Sequence, residues 1–222
     1  MSKKIPVSYI SLAYRCPVYL FHSKKRGIIE SERSIVCKQV ASHLGDSLDP
    51  VAIWNEIKII MPDISPKMEN FCLECIIQCN NRVWDKYSDA QVRVRSENFG
   101  ISGIVDKMDS NEHTFAISRS SKAPDLGVWR VDALRICAYN FCVEETTGWS
   151  VKKARVEYIP SGIMRECKPS LRDRRTFLQM LSTVKNIEKG TLPGKPQNAP
   201  CMNCEYNGLC GGEKPVRLSD LL

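Results

Sequence analysis

The chain has no uninterrupted apolar run approaching the roughly 20 residues that cross a bilayer, so no helical membrane span is expected. Its opening residues, Met1-Ser2-Lys3-Lys4-Ile5-Pro6, lack the apolar core and cleavage site of a secretory signal. No internal repeat or low-complexity tract occurs. Histidine is scarce, with three in 222 residues, and His22 and His43 each stand alone. These absences favour a cytoplasmic protein, where eleven cysteines stay reduced. An odd number of thiols also argues against a disulfide framework. What remains is ordinary for a globular chain: 43% hydrophobic and 26% charged residues, enough to bury a substantial core. The net charge of +7, from 32 Lys and Arg against 25 Asp and Glu, suits a polyanionic partner without specifying one.

The distinctive stretch is Pro200-Cys-Met-Asn-Cys-Glu-Tyr-Asn-Gly-Leu-Cys-Gly-Gly212. Cys201, Cys204 and Cys210 have C-x2-C-x5-C spacing, and Gly208, Gly211 and Gly212 permit the sharp turns that aim sulfurs at one point. Three thiolates leave a tetrahedral metal centre or a cubane cluster one ligand short. Cys16, in Tyr14-Arg15-Cys16-Pro17, is the candidate fourth ligand, and it would clip the two ends of the chain together. A zinc knuckle and reduced free thiols are the alternatives.

The remaining sequence divides by periodicity. Residues 1–85 read as a helical part, 86–190 as a core of mixed elements, and 191–222 as the cysteine-rich tail. A short strand or loop leads into a helix over 5–22, with Pro17 suited to a first turn. Lys24, Lys25 and Arg26 form a basic cluster, either solvated or phosphate-binding. Helices are expected over 31–45, 50–60 and 66–84. On the last, Cys72, Cys75 and Cys79 share one face, as core thiols or as ligands of a second centre. Strands are expected over 91–96, 99–108, 113–118 and 153–159, with helices over 129–145 and 170–189. Ser170 followed by Asp173 reads as the cap of the final helix. Arg172, Arg174 and Arg175 after it form a solvated face or a phosphate contact. The β-α-β step implies a mixed sheet with a right-handed crossover.

Strand–turn–strand carrying Gly103-Ile104-Val105-Asp106, followed by strand, helix and strand, resembles the core of the PD-(D/E)XK nuclease superfamily in its RecB-like branch. Ser96–Asp106 resembles its second motif and Ser121-Lys122-Ala123-Pro124 the tail of its third. Ala138-Tyr139 with Glu144-Glu145 resembles the helix carrying its Gln-x-x-x-Tyr motif. Cys16 with Cys201, Cys204 and Cys210 resembles the iron–sulfur members, which include CRISPR-associated RecB-like exonucleases. The resemblance implies an α/β fold, a mixed sheet flanked by helices, with an N-terminal helical part and a C-terminal iron–sulfur loop. It implies a [4Fe-4S] cluster on those four cysteines, and Mg2+ or Mn2+ in an active enzyme. It further implies DNA, single-stranded or with free ends, as substrate, and CRISPR adaptation proteins as partners.

A hydrolytic nuclease holds divalent metal with carboxylates and needs a cation near the attacked phosphate. Asp106 is the first carboxylate and metal ligand. The expected Glu-x-Lys falls on Ile117-Ser118-Arg119, and the expected Gln on Arg135, with Tyr139 retained. No convincing metal-binding His lies between residues 27 and 42. Glu97, Glu30 and Glu32 are the spare acids. Asp106, Arg119, Lys122 and Tyr139 are therefore the candidate catalytic residues. Arg119, Lys122, Arg130 and Arg135 are candidate nucleic-acid contacts, or partners of Asp106, Asp132 and Glu145 in structural ion pairs. Two functions follow: a metal-dependent exonuclease in CRISPR adaptation or DNA processing, or a degenerate member serving as a DNA- or protein-binding scaffold with a structural cluster. A zinc-stapled binding protein without a role in DNA is a third.

Overall fold

The computed structural model describes residues 4–202 and 204–210. Ile5–Pro6 form a two-residue strand, β1, which runs straight into helix α1 (Val7–Arg15). Cys16 adopts an extended backbone and interrupts the helix, and Pro17 restarts it as the first residue of α2 (Pro17–Arg26). Proline fits there because a first-turn N–H has no partner inside the helix. Helix α3 (Glu32–Ser42) begins at Ser31, whose hydroxyl accepts the N–H of Ser34 at 3.3 Å. Helix α4 (Pro50–Ile60) is capped by Asp49, whose carboxylate accepts the N–H of Val51 at 2.9 Å. Helix α5 (Lys67–Asn80) completes the helical run.

Strands β2 (Asp89–Ser96), β3 (Ile101–Asp109) and β4 (Thr114–Arg119) form an antiparallel meander. Helix α6 (Arg130–Thr147) then crosses to β5 (Ala154–Tyr158), which pairs parallel to β4 with Ser118 opposite Glu157. A strand with no counterpart in the sequence reading, β6 (Ile163–Cys167), pairs antiparallel to β5. The six strands run β1-β3-β4-β5-β6, with β2 also on β3. Helix α7 (Leu171–Glu188) closes the main layer, and its Ser170–Asp173 capping box makes both reciprocal bonds.

Two apolar clusters result. One packs α1, α6 and α7 on the sheet, around Ile10, Phe115, Ile136, Tyr158 and Phe177. The other joins α3, α4 and α5 through Val36, Ile53, Ile57 and Ile76, with Trp84 and Ile159. Residues 5–26 thus share the sheet's core, whereas α3–α5 have their own. At the seam Gly162 has φ +57°, and a Cβ there would lie 2.1 Å from the Gln78 carbonyl oxygen. Cys72, Cys75 and Cys79 line the second cluster together with Cys37. Burial pushes the Cys72 and Cys79 thiols up to about 12, and both pack among apolar side chains. Among the described residues no helix is long and apolar enough to cross a membrane.

Candidate metal and nucleic-acid sites

Strand β3 carries Asp106 to the wall of a cleft of about 530 Å3. Strands β2 and β4 and the approach to β2 form one side, and α3 forms the other. Asp106 Oδ2 accepts the backbone N–H of Ser118 at 2.7 Å, which fixes the carboxylate against β4. It has no ion-pair partner among the described residues. Burial pushes its pKa up, although the Ser118 N–H and the charges of Lys38, Arg135 and Lys107 pull the other way.

Gly103 and Tyr139 are linked by contact. A Cβ on Gly103 would lie 2.8 Å from the Tyr139 ring, and the Tyr139 hydroxyl donates to the Ile104 carbonyl at 2.8 Å. Burial pushes the Tyr139 phenol up to about 12. Its proton is thus committed, and the residue orients β3 beside Asp106.

The positions read as a remnant Glu-x-Lys have other occupations. Ile117 is buried in the sheet's core. Ser118 gives its N–H to Asp106, while its hydroxyl donates to Glu157 at 3.1 Å. Arg119 Nε lies 2.6 Å from Asp132 Oδ1, and the second oxygen of Asp132 accepts the Tyr158 hydroxyl at 2.9 Å. Arg135 donates to the Ser11 hydroxyl at 3.3 Å from beneath α1. Burial, then the charge of Arg119, pushes the Arg135 pKa down from its ordinary value. Lys122 and Arg130 are exposed around the start of α6, beside Trp129, whose indole N–H donates to the Lys122 carbonyl at 2.8 Å. The four basic residues are therefore split: two are engaged inside the fold and two face solvent.

Other charged groups, the spare acid Glu30 among them, line the cleft with Asp106. Lys107, the next residue on β3, and Glu157, on β5 beyond β4, form a buried ion pair at 3.0 Å. From the facing wall Glu30 and Lys38 line the same cleft, with Lys38 Nζ 2.7 Å from Glu30 Oε1. Glu97 lies apart, paired with Lys4 and held by it. Glu32 accepts the Ser65 N–H at 2.9 Å, at the seam between α3 and α5.

The thiols of Cys16, Cys201, Cys204 and Cys210 all line a second cavity, of about 280 Å3. Cys16 sits at the α1–α2 junction. The other three come from successive turns, with Cys204 N–H bonded to the Cys201 carbonyl and Asn207 N–H to that of Cys204. Burial, then the neighbouring Cys16 and Cys204, pushes the Cys210 thiol up. Among the described residues no three His, Cys, Asp or Glu side chains converge tightly enough for a single ion. Four thiols on one cavity are the donor set that a tetrahedral zinc centre or a cubane cluster uses. Gly211 and Gly212 lie outside the described residues.

Tyr206 anchors this loop and had no signal beyond its place between cysteines. It is 2% exposed, packs edge-on to Tyr19 at 5.2 Å and stacks on His22 at 5.6 Å. Tyr19 donates to Glu205 at 3.2 Å.

No protein-family model matches this chain, and no curated protein does. A crystal structure from Eubacterium rectale, named as a candidate exonuclease, superposes on it with a TM-score of 0.61 at 16% identity, over 99% of this chain and 92% of that one. The structure of SSO0001 aligns with a TM-score of 0.46 at 13% identity, over 95% of this chain and 87% of that one. The fold is that of the candidate exonuclease. That fold is a mixed six-stranded sheet flanked by helices, and it carries Asp106 to the cleft.

Proposed function

We propose that this protein is a metal-dependent exonuclease of the RecB-like type, acting on single-stranded or free-ended DNA in CRISPR adaptation or related DNA processing. One observation carries the reading. Asp106 is a carboxylate without an ion-pair partner among the described residues, locked by a backbone N–H into the wall of a cleft, on an exonuclease-like fold. A divalent cation such as Mg2+ or Mn2+ supplies Lewis acidity at such a centre, and Asp106 is the residue to hold it. Tyr139 and Gly103 keep β3 in register behind that carboxylate. Lys122 and Arg130 contact the DNA backbone as exposed cations, and Arg119 holds the start of α6 through Asp132.

Cys16, Cys201, Cys204 and Cys210 hold a [4Fe-4S] cluster in this reading, supported by four thiols around one cavity. The cluster staples the C-terminal loop to the α1–α2 junction, far from the cleft in sequence.

The occupation of Arg119 by Asp132 and of the Ile117 position by core favours a second reading, a DNA-binding scaffold that no longer cleaves. End-labelled single-stranded DNA, incubated with Mn2+ and anaerobically purified protein, separates the two. Progressive shortening that Asp106→Ala abolishes is the expected result. Salt-sensitive DNA binding without cleavage in the wild type would establish the scaffold instead.

A further inference from the structure

The two acid–base pairs beside Asp106 differ in what they can still do. Glu157 is 1% exposed; Lys107 contacts its carboxylate at 3.0 Å and the Ser118 hydroxyl donates to it at 3.1 Å. That pair is closed, and separating it would strand a charge in the interior. Glu30 and Lys38 are open. Glu30 stands just before α3, and its Oε1 accepts both the Ser34 hydroxyl at 2.6 Å and the Lys38 ammonium at 2.7 Å. Both side chains are about half exposed, at 43% and 50%, in the cleft that Asp106 lines. Glu30, Lys38 and Asp106 line the same cleft, and among the described residues Lys38 pairs with Glu30 and not with Asp106.

We propose that Glu30 and Lys38, delivered from the α3 wall, complete the centre that Asp106 begins: Glu30 as a second carboxylate for one divalent cation shared with a DNA phosphate, Lys38 as the positioning cation beside the water. This rests on the nuclease reading given above. Mg2+ is commonly held by one or two carboxylates together with substrate phosphates, so two acids and a phosphodiester suffice. Protonated lysine cannot ligate a metal, but its flexible stem lets it leave Glu30 and neutralise the attacked phosphate. The hydrolysis consumes one water. Its oxygen joins phosphorus, the bond to the leaving sugar oxygen breaks, and that oxygen takes one proton while the other goes to solvent. The lysine that strand β4 lacks is thereby supplied from across the cleft.

Titration of anaerobically purified protein with Mn2+, read as loss of the free-ion electron paramagnetic resonance signal, tests this apart from activity. Glu30→Gln and Asp106→Asn each weaken Mn2+ binding about 10-fold or more. Lys38→Met tightens Mn2+ binding, because Glu30 loses its competing cation, yet slows DNA cleavage about 100-fold. A purely structural lysine would not move those two readouts in opposite directions. Thermal melts confirm that each variant is folded. Wild-type Mn2+ affinity in Glu30→Gln overturns the inference. So does loss confined to Glu157→Gln, which would give the second ligand to the buried acid. If Asp106→Ala abolishes cleavage while Glu30→Gln keeps full affinity and rate, this inference fails and the nuclease reading stands. A wild type that neither binds Mn2+ nor cleaves DNA removes both.

Discussion

Gly103 has no room for a methyl group, and that constraint explains the glycine before Asp106. The Tyr139 ring fills the space where a Cβ would project, and the hydroxyl bond to Ile104 prevents the ring from retreating. Gly103→Ala should cost about 1–3 kcal/mol through overpacking. For a chain of this length that lowers the melting temperature by several degrees, read by calorimetry. An unchanged melt would mean that the ring moves aside freely. The Gly103-Ile-Val-Asp106 run was legible because a glycine shortly before an acid in a strand is a local pattern, although Asp106 stands within β3 and not at its end. The pairing of Arg119 with Asp132 was among the alternatives the sequence offered, whereas the bond of Arg135 to Ser11 was not, because it is set by how α6 lies against α1. Glu30 was legible only as one of three spare acids, and Lys38 not at all, because a helix lysine looks like solvated surface until α3 is seen to line the cleft of Asp106.

At the level of elements, the C-terminal loop is held to α2 by Tyr206 as well as by whatever the thiols bind. Cys16→Ser, Cys201→Ser, Cys204→Ser and Cys210→Ser should each strip most of the iron from anaerobically prepared protein, with the visible absorption falling in step. Tyr206→Ala leaves all four thiols intact but undocks the loop, and should weaken iron retention about 10-fold, as loss of an outer support does. Colourless, zinc-loaded wild type, or a Cys16→Ser protein with full iron, would contradict the shared centre. Most elements were readable from periodicity and turn residues, and Pro17 and the Ser170–Asp173 box were readable helix starts, whereas the caps at Ser31 and Asp49 came from the structure. Strand β6 escaped because Ile163-Met-Arg-Glu-Cys167 is short, and its pattern is set by pairing with β5 rather than by full burial. The tight turn at Gly162 that feeds it reflects a tertiary constraint, the close approach of α5.

On the scale of the whole molecule, two apolar cores meet along a cleft, and chemistry is possible there because each side brings different groups. The sheet contributes a fixed carboxylate on β3. The helical part contributes Glu30 and Lys38 on a separately packed element, so a shift of α3 would alter the centre without unfolding either core. An excess of seven positive charges supports salt-sensitive attachment of DNA around that cleft. The central claim is that the cleft at Asp106 binds the divalent cation a nuclease needs. An anomalous difference map from crystals soaked in Mn2+ with a short single-stranded oligonucleotide tests it most directly. The account predicts a peak against the Asp106 carboxylate, on the side facing Glu30. A map with Mn2+ bound elsewhere and none at Asp106 would contradict it.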